Sequence, residues 1–505
     1  MSVYNACAEL LDSNVEHGRG DKIAFVDDAG SITYAELQIA TRRFANLLKS
    51  RGVRREERIA LILSDTIDYP IAVLGAIRAG VVPVLINTLL ASEHYNYMLN
   101  DSRAKAVFVS ASLLENVGRC LDGRQNILVS RGAAAVHEDL ATALAAETCD
   151  FETVECHQDE VAFWLYSSGS TGVPKGTKHV HKSLALTAKL FAQGVLGLRE
   201  DDVVHSAAKL FFAYGLGNSL SFPLSVGATT ILNPLRPTPQ TVFGILEKHQ
   251  PTVFCGVPTL YAGMLHDVEH ANSAGSVRLR LCTSAGEALP EHIGQTWQAR
   301  FAAPIIDGVG STELLHVYLS NAPGDIIYGT SGRAVPGYEL RLQNENGVLT
   351  PDGEIGELYV RGPTSAEGYW NQRDKSRETF QGEWTKTGDK YVRDASARYT
   401  YCGRADDMFK VSGIWVSPFE VEAVLASHPC VLEAAVVPHE DEEGLLKPKA
   451  FIVLKDGVVI DGFEASIKDH VKKHIGMWKY PRWIKILDAL PKTATGKVQR
   501  FKLRA

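Results

Sequence analysis

The sequence predicts an α/β protein joined to an α+β unit. It has a large N-terminal domain of mostly parallel sheets covered by helices, with an antiparallel barrel-like subdomain, and then a small mobile C-terminal α+β domain. Three observations lead there. From about residue 20 to 300, short runs of branched residues alternate with helix-length segments. From about 330 to 400 the texture changes to short alternating strands with tight turns. Beyond Arg404 the remaining residues read as a compact unit of their own.

In the first region, ERIALILS, VVPVLIN, AKAVFVS and TVFCGVP have strand length and composition, whereas TYAELQIATRRFANLLKSRG and PQTVFGILEKHQ carry helical spacing. Helix-length segments between strand-length ones specify parallel sheets with helical cover. In the second region, GYELRLQNENGVLTPDGEIGELYVRG holds an Asn-Gly and an Asp-Gly, the residues of tight hairpin turns. The last region offers a helix at SPFEVEAVLASH, strands at LEAAVVPH and KAFIVLK, and a helix at GFEASIKDHVKKHI. The expected division is therefore 1–404 for the large domain, 405–407 for a hinge and 408–505 for the small domain.

Net charge is −7, from 52 basic and 59 acidic residues, which argues against nucleic acid or an anionic membrane as the main partner. No apolar run approaches the roughly 20 residues that span a bilayer. Glu9 and Asp12 interrupt the first apolar stretch, unlike a secretory leader. Eight cysteines are scattered without a C-x-x-C pair, as expected of small buried hydrophobes in a reducing cytoplasm. Oligomeric state is not legible, and a homodimer is left open.

The stretch Tyr166–Gly176, YSSGSTGVPKG, follows the apolar run VAFWLY and ends in one lysine. Successive backbone N–H groups in such a loop can form an anion-binding nest, hydroxyls add donors, and Lys175 adds a point charge. It is not the nucleotide loop of kinases and GTPases, because Lys175 stands between Pro174 and Gly176 with no hydroxyl after it. Nor does it contain the G-x-G-x-x-G of a dinucleotide site.

YSSGSTGVPKG resembles the phosphate loop of the adenylate-forming enzymes: acyl- and aryl-CoA synthetases, luciferases and peptide-synthetase adenylation domains. SITYAEL (31–37), GAIRAGVVPVLIN (75–87), SAGEAL (284–289), DGVGSTE (307–313), GELYVRG (356–362), TGD (387–389), GRADDMFKVSG (403–413) and PKTATGK (491–497) follow in the family's order. The resemblance covers almost the whole chain and implies a reaction in two halves. A carboxylate attacks the α-phosphorus of ATP to give an acyl-adenylate and pyrophosphate, and a thiol then displaces AMP. Two anions must meet, and at ~4 Å like charges repel by about 4 kcal/mol at an effective dielectric of 20, so cationic help is required.

On that resemblance, Lys497 is the catalytic lysine that bridges substrate carboxylate and α-phosphate, while Lys492 is an ordinary surface charge. Ser167, Ser168, Gly169, Ser170, Thr171 and Lys175 hold the phosphates. Thr312 and Glu313 hold Mg2+ or the phosphates, although Thr-Glu could instead cap a helix running LLHVYLS. Ser284, Gly286, Glu287 and Asp307 form the adenine wall, and Asp389 and Arg404 bind the ribose hydroxyls. Val309 departs from the family, which often has an aromatic residue there. Asp406 matches the hinge, and Gly413 the place where the pantetheine arm passes.

The pocket wording, KLFFAYGLGNSL with DGVGSTELLHVYLSN, resembles the benzoate-CoA ligase branch. It implies an aryl site lined by Ala213, Tyr214, Gly215, Gly310, His316, Val317 and Lys410. Ala213 and the glycines are expected to leave a flat slot for a ring. Lys410 serves either the substrate carboxylate or the CoA tunnel, and His316 alone would read as an ordinary core histidine. A peptide-synthetase domain would place an acidic residue where this pocket stretch has Phe212 and Ala213, and would be followed by a carrier domain, whereas this chain stops at Ala505. The expected activity is ATP-dependent ligation of benzoate or a hydroxybenzoate to coenzyme A. The alternatives are adenylation for another small acid or acceptor, and a silent nucleotide-binding homologue.

Overall fold

The computed structural model describes all residues except 1–3, 133–136, 168–173, 268, 271–272, 412–413, 444, 456, 458–461, 493–497 and 505. Among the described residues, no helix is long and apolar enough to cross a membrane.

Two large sheets form the body. The first runs in the order Gly368–Tyr369, Lys175–Val180, Val161–Ser167, Val82–Leu85, Arg58–Ile62, Ala106–Ser110, Ile127–Ser130, Glu138–Asp139. From Val161–Ser167 onward its pairings are parallel, and the two strands before it are antiparallel. The second centres on parallel strands Val203–Ser206, Val253–Gly256, Leu281–Ser284 and Ile305–Gly310. Their side chains are mostly buried, the polar His205, Thr283, Ser284 and Asp307 included, as a sheet covered on both faces requires.

The helix at SITYAEL shows why that segment folds locally. Thr33 Oγ1 accepts from Glu36 N at 3.2 Å and Glu36 Oε2 accepts from Thr33 N at 2.8 Å. This reciprocal cap starts helix Tyr34–Ser50, which buries Leu37, Thr41, Phe44, Leu47 and Leu48 along one face.

Residues 339–404 form an antiparallel sheet of Glu339–Gln343, Ile355–Arg361, Trp384–Arg393, Phe380–Gln381 and Tyr399–Arg404. Gly347 and Gly353 take positive φ (75° and 86°) at the Asn-Gly and Asp-Gly turns, as turn chemistry demands. After the turn at 405–407, the strands Val431–Glu440, Leu446–Leu454 and Trp483–Ile486 make a second, smaller sheet, packed by helices Pro418–Ala426 and Phe463–Ile475. Among the described residues, its two apolar clusters draw on residues between Phe409 and Leu503.

Candidate active site

The chemistry collects where strands of the two large sheets end. Ser167 is the last residue of Val161–Ser167 and pairs with Lys175 across the hairpin that carries the Gly/Ser loop. Its hydroxyl donates to Glu313 Oε1 at 3.3 Å, linking the first sheet to a segment of the second. Lys175 Nζ lies 4.0 Å from the same oxygen. Burial pulls the Lys175 ammonium below its usual range, against the opposing charge of Glu313.

Glu313 sits in a single 3-10 turn, Thr312–Leu314, capped by Ser311, whose hydroxyl accepts from Leu314 N at 3.3 Å. The residues after it do not continue as a helix. Leu315 takes φ 67°, and Val317–Ser320 is a buried strand antiparallel to Ile305–Gly310. The alternative of a helix over LLHVYLS is therefore wrong, because the positive φ at Leu315 turns the chain back into the sheet.

Asp389 and Arg404 stand opposite each other on paired strands, with Arg404 Nη1 3.0 Å from Asp389 Oδ1. Gly388 makes the approach possible. It has φ 73°, and a Cβ there would lie 2.9 Å from the Arg404 guanidinium. The Arg404 charge acts on both Lys175 and Tyr369, so the Asp389–Arg404 pair is within electrostatic reach of the phosphate end.

Ser284 and Asp307 are also directly opposite each other, on neighbouring parallel strands. Both are buried, and Ser284 Oγ and Asp307 Oδ1 make no well-formed hydrogen bond among the described residues, although Ser284 and the backbone N–H groups of Leu289 and Gly308 lie close enough to favour the ionised carboxyl. Burial pushes the Asp307 carboxyl up to about 8. Two buried polar atoms side by side, neither in a well-formed bond, are a place for a ligand that completes them. Gly286, with φ 91°, has open space where a Cβ would stand, and Glu287 follows it.

The expected aryl residues come together only in part. Tyr214 OH shares a 2.6 Å hydrogen bond with Thr283 Oγ1, and His316 Nε2 lies 3.2 Å from the Tyr214 carbonyl oxygen. His316 is buried among Phe191, Tyr214 and Phe222, with ring centres 5.6, 5.5 and 4.4 Å away, and burial pushes it down to about 3. Val317 lies in the core and Ala213 at its edge, 9% exposed.

The glycines differ from expectation. A Cβ at Gly215 would stand 2.0 Å from the Lys209 carbonyl oxygen, and one at Gly310 2.5 Å from that of His316. These glycines admit the protein's own backbone, where a flat slot for a ring was expected. Val309 packs half-buried against the core. Lys410, on strand Phe409–Val411, has its ammonium 4.0 Å from Glu345.

Asp406 lies in the turn where Asp407 N and Met408 N both donate to Arg404 O at 3.1 Å. Ser168, Gly169, Ser170, Thr171, Gly413 and Lys497 lie outside the described residues. Lys492, read as an ordinary surface charge, is exposed and partnered. It pairs with Glu433 at 2.5 Å and forms a bridge with Val498.

Sequence reasoning missed Tyr369. Its hydroxyl donates to Glu313 Oε1 at 2.8 Å and accepts from Lys175 Nζ at 3.1 Å. Its only local signal is an aromatic pair, Tyr369-Trp370, directly after Gly368, which has φ 125°.

The description "AMP-binding enzyme" matches residues 11–370, and "AMP-binding enzyme C-terminal domain" matches 420–497. The chain is 53% identical to the benzoate–CoA ligase of Thauera aromatica, over 99% of this chain and 96% of that one. It is likewise 53% identical to the 4-hydroxybenzoate–CoA/benzoate–CoA ligase of Rhodopseudomonas palustris, over 99% and 94%. The crystal structure of a benzoate CoA ligase from Burkholderia xenovorans LB400 superposes with a TM-score of 0.93 at 50% identity, covering 99% of this chain and 100% of that one. With paired polar groups at the strand ends and this likeness along nearly its whole length, the chain belongs to the AMP-binding enzyme family.

Proposed function

We propose that this protein ligates an aromatic carboxylate, benzoate or a hydroxybenzoate, to coenzyme A through an aryl-adenylate, releasing pyrophosphate and then AMP. The observation that carries this reading is the convergence of Ser167, Lys175 and Glu313 with the Asp389–Arg404 pair. They stand in a chain about half identical to ligases named for benzoate and 4-hydroxybenzoate.

In this reading ATP lies across the strand ends. Ser284 and Asp307 meet the adenine with their buried polar atoms, Asp389 and Arg404 hold the ribose, and Ser167 and Lys175 hold the phosphates with the loop residues Ser168 to Thr171. A magnesium ion that travels with ATP needs only one or two protein carboxylates, the remainder coming from phosphate and water oxygens. Glu313 and Thr312 fit that requirement. Every described bond to the Glu313 carboxylate falls on Oε1, and no group of three or more His, Cys, Asp or Glu forms a self-contained cage among the described residues. When bound, the ion neutralises phosphate charge. Lys497, from the small domain, supplies the positive charge between the attacking carboxylate and the α-phosphorus. The turn at 405–407 is the hinge about which that domain moves, bringing the thiol path at Gly413 into place. Tyr214, His316 and Val317, with Ala213 at the edge, border the ring. All eight cysteines are free, which supports a cytoplasmic enzyme.

The test is acid-dependent pyrophosphate release, first with benzoate and then with hydroxy- and aminobenzoates, followed by thioester formation when CoA is added. Release without thioester would reject CoA as acceptor, and no release with any aromatic acid would reject the substrate class.

A further inference from the structure

Lys175 and Glu313 carry the opposite charges of the phosphate end, yet they do not touch. The hydroxyl of Tyr369 fills the 4.0 Å interval, accepting from the ammonium and donating to the carboxylate. The direction of these bonds follows from the groups themselves, since an ammonium only donates and an ionised carboxylate only accepts. Lys175 Nζ also lies 4.2 Å from the centre of the Tyr369 ring, within the range of a cation–π contact.

The hydroxyl is a fixed point. Gly368 and Tyr369 pair with Lys178 and Thr177 at the edge of the first sheet. Trp370 N donates to Gly176 O at 2.7 Å, and Tyr369 N to Ser376 Oγ at 2.9 Å. The ring packs on Phe380, with centroids 5.3 Å apart. Strand pairing and packing thus hold the phenol independently of the two charges it separates.

We infer that Tyr369 is a positioning residue for ATP, a spacer that stops the Lys175 ammonium from collapsing onto the Glu313 carboxylate and so leaves both charges available to the polyphosphate and its cation. The inference rests on the nucleotide reading of this site, which assigns Tyr369 no role. Without the hydroxyl, Lys175 closes on Glu313, and a partly buried ion pair has to be broken before either group serves the nucleotide. The penalty falls on ATP, whose outer phosphates need both charges, and spares AMP, which lacks them.

Tyr369→Phe removes only the hydroxyl and keeps the ring on Phe380. Calorimetric titration with ATP and magnesium, with neither acid nor CoA present, should give a dissociation constant weaker by about tenfold or more, while that for AMP stays within about twofold. Adding Tyr369→Phe to Lys175→Ala should produce little further loss, because the spacer acts through the lysine. Equal weakening of ATP and AMP would mean that the phenol merely supports the fold, and unchanged ATP affinity would remove the spacer altogether. Either outcome overturns the inference. The titration needs no turnover, so an enzyme idle with every aromatic acid would overturn the substrate reading and leave this one to its own result.

Discussion

Asp407 Oδ2 lies 3.5 Å from Nη1 of Arg500, which ties the turn after Arg404 to the segment just past Lys497. Arg500 also grips Glu422, with Nε to Oε1 at 3.1 Å and Nη2 to Oε2 at 2.6 Å, and Arg504 reaches the other oxygen of Asp407. The start of the small domain, its first long helix and its last turn are thereby one ionic unit.

Arg500→Ala would leave the Glu422 carboxylate, 11% exposed, without its forked partner. A partly buried carboxylate stripped of its cation should cost the small domain about 2–4 kcal/mol, and the loss should be visible as early proteolysis of residues beyond 407 while the large domain stays resistant. Arg500→Lys restores the charge without the fork and should recover only part of it. Simultaneous loss of both domains would show that the unit is not confined to the small domain.

Lys497→Ala should separate the two halves of the reaction. If the ammonium serves the meeting of carboxylate and α-phosphorus, adenylate formation falls by about a hundredfold or more. Supplied benzoyl-adenylate with CoA should still give thioester at close to the wild-type rate. Single-turnover measurement of each half decides the matter, and an equal fall in both would mean that Lys497 does not act on the first half alone.

How much of this was readable depended on sequence distance. The strands at Arg58–Ile62, Val82–Leu85, Ala106–Ser110 and Val253–Gly256 were legible because parallel strands buried on both faces need continuous apolar runs, a local property. The Asn-Gly and Asp-Gly turns were legible for the same kind of reason. Tyr369 was not, because its role is created by strand pairing that brings it beside Lys175 and Glu313, which lie 194 and 56 residues away. The strand Val317–Ser320 was open to a helical reading because nothing in LLHVYLS announces the positive φ at Leu315. Gly215 was read as room for a ligand, since sequence shows a missing side chain without showing what occupies the space.

That space sets the next expectation. A Cβ at Gly215 meets a backbone carbonyl, which cannot rotate away as a side chain end can. Gly215→Ala should therefore shift the helix that carries Ala213 and Tyr214, costing about 1–3 kcal/mol of stability. It should also break the Tyr214–Thr283 hydrogen bond. Thermal unfolding and the KM for benzoate should both worsen, whereas Ala213→Gly, at the edge of the core, should leave stability within about 1 kcal/mol and change only the choice among ring substituents. A stable Gly215→Ala enzyme with an unaltered substrate profile would show that the backbone there yields easily.

The last expectation concerns pH and Asp307. Its folded value of about 8 stands well above the roughly 3.9 of an unfolded aspartate. Between these values the folded chain holds a proton that the unfolded chain has released. The contribution of this group to stability is therefore fully present below about pH 4 and is lost as pH rises through 8, by up to about 1.4 kcal/mol per pH unit within the window. Asn at this position has the same shape and does not titrate, so Asp307→Asn should gain on the wild type steadily as pH is raised. Comparing the two proteins at each pH cancels the buried histidines His179, His205 and His316, which titrate in both. Melting temperatures of the pair at about pH 5 and pH 8 would show the gap widen in favour of Asn. A gap that does not change with pH would mean that Asp307 is ionised throughout, its charge held by Ser284 and the backbone N–H groups of Leu289 and Gly308.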